Sequence, residues 1–342
     1  MGKNVKKAVL AVICFVCAVC GMVFAVNAFN RHKYRHADSL SSFDVTDLSK
    51  YPTDIDRVEV KIVDRGTFQG FHLIPEKKKF KGIIVCYGGS DGGPLYDTAV
   101  QYAKNGYETL SVFMFGMKNQ QKTLSNVPLE QFQDVLDYAD DNIKDHSPIT
   151  VISASKGAEF ALNLAVKYSE ISNLVLFAPM AYSYSGLDFE KSGPSWTWHG
   201  EAIPYVDLGK ASFSAVLKDI IIPKMTGAPV TFREMYGSAL QADSQREEKL
   251  IPIQDLQTNI LLIVGEDDQM ADTRKMAKII KSQNNNVQVY TYKNAGHVFN
   301  GNGIGVSSGM LMNFGGTEEG NKKAAKESGK VIDKFLMAQH SR

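Results

Sequence analysis

The chain has 342 residues, 44% of them hydrophobic and 22% charged, and a formal net charge of +1. This is the composition of an ordinary globular protein, long enough for one large α/β domain. The near-neutral charge gives no broad electrostatic reason to expect a nucleic-acid partner, and no repeat of solenoid or propeller period is present.

Residues 8–29 are apolar apart from Gly21 and Asn27. At about 1.5 Å rise per residue, a helix of this length crosses a hydrocarbon core of about 30 Å. Lys3, Lys6 and Lys7 precede the run, which suits both a signal peptide and a membrane anchor with its N-terminus inside. The length favours an uncleaved anchor, whereas Val26-Asn27-Ala28 offers a small-residue cleavage site. Arg31, Lys33 and Arg35 follow and weaken the charge asymmetry. Residues 1–30 are therefore read as a membrane anchor or signal segment and 31–53 as a polar linker. The protein is expected to be membrane-anchored or secreted, with its catalytic domain outside the cytoplasm. Cys14, Cys17 and Cys20 all lie in the apolar run, which leaves only Cys86 for the folded part. A disulfide within that part is excluded, so a packed core must hold it together.

Residues 58–63 alternate at period two and predict a half-exposed strand, paired after the Asp64-Arg65-Gly66 turn with 68–75. The continuous apolar run 82–87 predicts a strand buried on both faces. It ends in Gly88-Gly89-Ser90-Asp91-Gly92-Gly93-Pro94, which lacks the features of a phosphate or dinucleotide loop. Bare backbone amides able to approach an oxyanion are one reading of this loop, and a flexible turn is the other. A helix over 95–105, closed by Gly106, and a buried strand over 107–115 follow. An amphipathic helix opens at Pro128, with Leu129, Phe132, Val135, Leu136 and Ala139 on its apolar face.

A β-branched run from Ile149 then delivers the chain to Ser155, and the helix-forming residues Ala158, Glu159, Ala161, Leu162, Leu164 and Ala165 leave it. Small-x-Ser-x-Gly on a strand-to-helix turn is the pattern of a nucleophile elbow, with Ser153 and Gly157 as the small neighbours. An ordinary strand-turn-helix reads the same way in isolation. After a strand over 172–177 the pattern breaks down from about 180 to 250, a stretch read as a lid. Its Tyr182, Tyr184, Trp196, Trp198, His199 and Tyr205 either fill a small core of its own or touch substrate. Strands over 259–264 and 287–292 flank a helix over 272–282. Residues 300–316 are glycine-rich and predict a mobile loop, and a helix over 318–337 closes the chain. Strand and helix alternate, as expected for a parallel sheet with right-handed crossovers.

Three chemistry-bearing groups thus follow in the order Ser155, an acid in Gly265-Glu266-Asp267-Asp268, then His297 after Gly296, each at the end of a predicted strand. That is the α/β-hydrolase order. A serine hydroxyl needs an imidazole to take its proton, and the imidazole needs a carboxylate to hold its tautomer. Of the seven histidines, His32 and His36 fall in the linker, His340 in the tail, His72 on an edge strand and His146 before a turn. His199 in the lid is the rival to His297. Three residues after the strand-ending glycine, Asp268 is the expected acid, with Asp267 left to cap the turn. The expected oxyanion donors are the backbone N–H groups of Lys156 and Gly89, with Ser90 as alternative to Gly89. No cofactor and no metal are expected.

Ser153-Ala154-Ser155-Lys156-Gly157-Ala158-Glu159, the loop from Tyr87 to Gly93, Val264-Gly265-Glu266-Asp267-Asp268 and Gly296-His297 together resemble a known family. It is the C-terminal catalytic domain of acyl-CoA thioesterases and bile acid-CoA:amino acid N-acyltransferases, and the resemblance covers about residues 58–338. It implies an acyl-enzyme at Ser155, with Asp268 and His297 completing a triad. A serine nucleophile looks like the hydrolase branch, since the amino-acid transferase branch is associated with cysteine. Ser153 stands where the family has the first elbow glycine, and Ala158 replaces the second of its paired glycines. The family's N-terminal β-sandwich gives way here to the membrane segment and linker.

The expected architecture is α/β, an α/β-hydrolase domain over 54–342 with a mostly parallel sheet, helices on both faces and the lid insertion. The expected activity is that of a serine hydrolase cleaving a small-molecule carboxylic ester or acyl thioester. An acyltransferase using the same acyl-enzyme and a non-catalytic hydrolase-like binding protein are the alternatives.

Overall fold

The structure, a computed structural model, describes residues 2–39, 44–188, 193–307 and 309–341. The parts of the linker at 40–43, of the lid at 189–192 and of the glycine-rich stretch at 308 lie outside the described residues.

The main sheet has eight strands. They are β1 (Val58–Arg65), β2 (Phe68–Pro75), β3 (Ile83–Tyr87), β4 (Glu108–Val112), β5 (Ile149–Ala154), β6 (Ile171–Phe177), β7 (Asn259–Gly265) and β8 (Val287–Tyr292). In space they run β1-β2-β4-β3-β5-β6-β7-β8. β1 and β2 form the expected antiparallel hairpin, β2 pairs antiparallel with β4, and every other pairing is parallel. This is the α/β-hydrolase fold. The sequence explains which strands lie inside: β3 and β4 are buried along their whole length, and the apolar runs of β5 and β7 nearly so.

The pleat sends alternate side chains into two cores. Ile83, Val85 and Tyr87 face α3 (Phe132–Asn142), α4 (Lys156–Lys167) and α6 (Thr273–Gln283). Ile84 and Cys86 face α2 (Tyr96–Asn105) and α7 (Glu318–His340). Because these strands run parallel, the carboxyl ends of β3, β5, β7 and β8 open on one edge of the sheet, where ligands of such sheets bind.

Several expectations are corrected. Pro128 does not open α3 directly, since Leu129–Gln131 forms a 3₁₀ turn between them. Residues 300–316 contain a hairpin, β9 (Ile304–Ser307) and β10 (Met310–Asn313), with β9 also paired to residues 38–39. The clustered glycines mask the short alternations Ile304, Val306 and Met310, Met312. His72 lies on a strand flanked on both sides, buried between Tyr138 and Glu108, because the edge of the sheet is β1. His340 is buried at the end of α7, where it meets Thr150 and the Lys81 carbonyl.

The described residues of 180–250 form short ribbons and helices, among them α5 (Arg233–Ala242). Tyr184 and Trp196 join the main core instead of forming a separate one, with Trp196 against Phe160 of α4 at 5.0 Å between ring centres. At the N-terminus α1 (Lys3–Lys33) is a single helix, long and apolar enough over 7–33 to cross a membrane.

Candidate active site

Ser155 stands between β5 and α4 with φ +55° and ψ −124°, a left-handed conformation that costs a non-glycine residue on the order of 1–3 kcal/mol. The surroundings enforce it. The Ser155 N–H donates to the Phe177 carbonyl of β6 at 3.0 Å, and the Ser155 carbonyl accepts from Ala158 and Glu159 as α4 begins. Gly157 has no alternative at its position, since a Cβ there would stand 1.9 Å from the Gly88 carbonyl oxygen and 2.2 Å from Ser153 Oγ. Ser153 turns its side chain to use: its hydroxyl lies 2.9 Å from the Tyr87 carbonyl and 3.2 Å from that of Gly88, tying the elbow to the glycine loop after β3.

That loop is held closed by the Gly88 N–H on the Gly93 carbonyl at 2.8 Å and by Asp91 Oδ1 accepting from Gly93 N–H at 3.1 Å. Gly89 faces the elbow, so that a Cβ added there would lie 3.7 Å from Ser155 Cβ. Lys156 is the first residue of α4, where helix N–H groups have no partner inside the helix. Among the described residues the amides of Gly89, Ser90 and Lys156 have no protein acceptor.

Asp268 and His297 meet just beyond the ends of β7 and β8. His297 Nδ1 lies 2.8 Å from Asp268 Oδ2, and both side chains are buried. Asp268 Oδ1 accepts from the Met270 and Ala271 amides at 2.8 and 3.2 Å, and Oδ2 also accepts from Thr273 Oγ1 at 2.8 Å. Four donors hold one carboxylate, which fixes the imidazole through Nδ1 and leaves Nε2 for other chemistry. Asp267 is exposed and makes only backbone contacts. The His297 N–H donates to the Phe314 carbonyl at 2.7 Å, and Asn321 Oδ1 accepts from Gly296 N–H at 2.8 Å. Sequence reading missed Thr273 and Asn321, which carry no local motif and are found only by the approach of α6 and α7.

Ser155, His297, Gly89, Ser90 and Lys156 line one cleft of about 1440 Å³. Its other wall is built from the lid by Leu187, Phe232, Met235 and Tyr236, together with Met310, Met312 and Phe314 of the hairpin stretch. Ser155 Oγ makes no hydrogen bond among the described residues, a common state before substrate aligns a catalytic pair. The predicted lid aromatics Tyr182, Tyr184, Trp196, Trp198 and Tyr205 are not among the lining residues, nor is His199, the rival base.

The Lys156 side chain turns away from this chemistry. Nζ pairs with Glu159 at 2.9 Å to both oxygens, and both groups are buried. Glu159 Oε1 also accepts from Tyr184 N–H at 3.0 Å and Trp196 Nε1 at 2.7 Å. The pair therefore ties Tyr184 and Trp196 to α4, and burial lowers the affinity of the Lys156 amine for its proton while Glu159 opposes that shift. Among the described residues no group of three or more His, Cys, Asp or Glu side chains is arranged to hold a metal.

Residues 127–341 match the family model "BAAT / Acyl-CoA thioester hydrolase C terminal". The chain is 24% identical over 277 residues to mouse bile acid-CoA:amino acid N-acyltransferase, covering 77% of this chain and 61% of that protein. It is 27% identical to mouse acyl-coenzyme A amino acid N-acyltransferase 1, over 80% of this chain and 64% of that one. Human acyl-coenzyme A thioesterase 6 is 24% identical, with coverage of 77% and 61%. The chain thus spans about three fifths of the length of these relatives. Among solved structures, an esterase from Pyrococcus furiosus is 13% identical with a TM-score of 0.48, over 88% of this chain and 96% of that one.

Proposed function

Because the chain belongs to the BAAT / acyl-CoA thioester hydrolase C-terminal family, we propose that it is a serine hydrolase that cleaves a carboxylic ester or acyl thioester through an acyl-enzyme on Ser155. The observation that carries this reading is the buried His297–Asp268 pair, 2.8 Å apart, opening on the same cleft as a serine held at φ +55°. Ser155 Oγ attacks the acyl carbon while His297 takes its proton. Asp268 holds the imidazole tautomer and stabilises the cation. The Lys156 and Gly89 amides stabilise the oxyanion, and His297 returns the proton to the leaving group. Water then repeats the cycle on the acyl-enzyme. The domain over 54–342 works outside the cytoplasm, held to the membrane by an uncleaved α1.

Fluorophosphonate probes should label the folded protein at Ser155, and Ser155→Ala should abolish the labelling. Undiminished labelling of that variant sinks the assignment.

A second reading keeps the acyl-enzyme and passes the acyl group to an amine. It is favoured by the N-acyltransferases among the relatives. The names of the relatives point to acyl thioesters as the shared donor class.

A further inference from the structure

The helical run 213–226 in the lid exposes three large apolar side chains. It comprises Phe213–Val216, one π-helical turn Leu217–Ile221, and Ile222–Thr226. Its one acidic residue, Asp219, points inward and is 1% exposed, accepting from Thr231 Oγ1 at 2.8 Å and from the Met235 N–H at 2.9 Å. Three of its apolar residues point outward, with Phe213 74% exposed, Ile222 48% and Met225 55%, while Ala215 and Ile220 face inward. Lys218 and Lys224 lie on the exposed side among them. A water-facing helix normally shows the reverse pattern, whereas apolar residues flanked by lysines suit the boundary between headgroups and acyl chains.

The place of this run relative to α1 says what covers it. Asn27 Nδ2 donates to the Met225 carbonyl and Asn30 Nδ2 to the Thr226 carbonyl, each at 2.9 Å. A hydrocarbon core of about 30 Å takes about 20 helical residues, so a span that begins at Ala8, after Lys7, reaches the boundary near Asn27. Arg31, His32, Lys33 and Arg35 follow at headgroup level. A lid backbone hydrogen-bonded to Asn27 and Asn30 therefore lies at the membrane surface. On its inner side the same run leads to the cleft: Ile220 packs with Val230, Met312 and Phe314, and the last two line the cavity.

We propose that the lid face carrying Phe213, Ile222 and Met225 is seated in the interfacial layer of the bilayer that α1 crosses. The partner is thus a lipid surface, and the wall of the cleft rests on it. The inference rests on α1 as an uncleaved membrane helix.

The test uses the full chain reconstituted in vesicles of phosphatidylcholine and phosphatidylglycerol. Cys14, Cys17 and Cys20 are replaced by alanine, and Cys86 is fully buried with its thiol pushed far above the usual range by burial. A polarity-sensitive fluorophore is attached through Phe213→Cys, Ile222→Cys or Met225→Cys, with Lys144→Cys as control. Lys144 is exposed and precedes β5 at the opposite edge of the sheet. Lipids spin-labelled at the headgroup or high on the acyl chain should quench the three lid probes about threefold or more above the control, as expected for side chains within about 5–10 Å of the headgroup boundary. Quenching at 222 and 225 no greater than at 144 overturns the proposal. Fluorophosphonate labelling of the same samples reads Ser155 separately. Lost quenching with intact labelling overturns the membrane seat alone, and lost labelling with intact quenching overturns the hydrolase reading alone.

Discussion

Which of two adjacent carboxylates serves His297 depends on a few ångströms of long-range approach, and the answer makes a sharp residue-scale prediction. In Asp268→Asn the amide oxygen can still accept from the Met270 and Ala271 N–H groups, so the turn keeps its hydrogen bonds. The new NH₂ group would then face His297 Nδ1 and force that nitrogen to accept instead of donate. With the tautomer reversed, Nε2 carries the proton and cannot take one from Ser155. A fall of about 10⁴ in kcat is expected, with KM little changed. The exposed neighbour supplies the control, and Asp267→Asn should retain nearly full kcat in the same ester assay. The Gly265-x-Asp-Asp pattern pointed to the second aspartate by its distance from the strand end. Thr273 and Asn321 were illegible, because nothing near them in the chain marks a partner brought by another helix.

At the scale of elements, α7 is fastened to the sheet by a buried histidine. His340 Nδ1 donates to the Lys81 carbonyl at 2.8 Å. Its Nε2 lies 2.7 Å from Thr150 Oγ1, which accepts from Asn173 Nδ2 at 3.1 Å and so has its proton free for the imidazole. Burial pulls the His340 pKa below its ordinary 6.5, with the Lys81 carbonyl bond opposing. The unfolded chain then binds the proton more readily than the folded one. The contribution to stability is full above about 6.5 and is lost as pH falls from there toward the depressed folded value. Thermal melts between pH 5 and 8 should show the wild type losing stability below pH 6.5 more steeply than His340→Gln. Equal slopes would remove His340 from the account. The sequence reading placed this residue in the tail, since helix periodicity says where a helix faces and not how far its last turn stays docked.

Across the whole molecule α1 and the cleft are linked through residues 180–250, since Asn27 and Asn30 bond residues 225 and 226 while Phe232, Met235 and Tyr236 of the same stretch line the cleft. An uncleaved α1 predicts that the protein stays in the membrane fraction after alkaline carbonate washing, with an intact mass that includes residues 1–33. Recovery in the soluble fraction, or a mass beginning near residue 29, would instead mean a cleaved signal segment. The strands, the mostly parallel sheet and the succession of Ser155, Asp268 and His297 could be read from the chain because each rests on local physics. Buried parallel strands need unbroken apolar runs, a sharp strand-to-helix turn needs small neighbours, and a membrane crossing needs about 20 apolar residues. Four features could not be read there: the burial of His72 and His340, the hairpin hidden in glycines, the Lys156–Glu159 latch and the seat of α1 on the lid. The hairpin pairs residues at most nine apart, and its alternation is too short to stand out among glycines. The buried histidines, the bonds from Glu159 to Tyr184 and Trp196 and the contact of α1 with residues 225–226 join groups tens to hundreds of residues apart, a distance of which the linear pattern carries no measure.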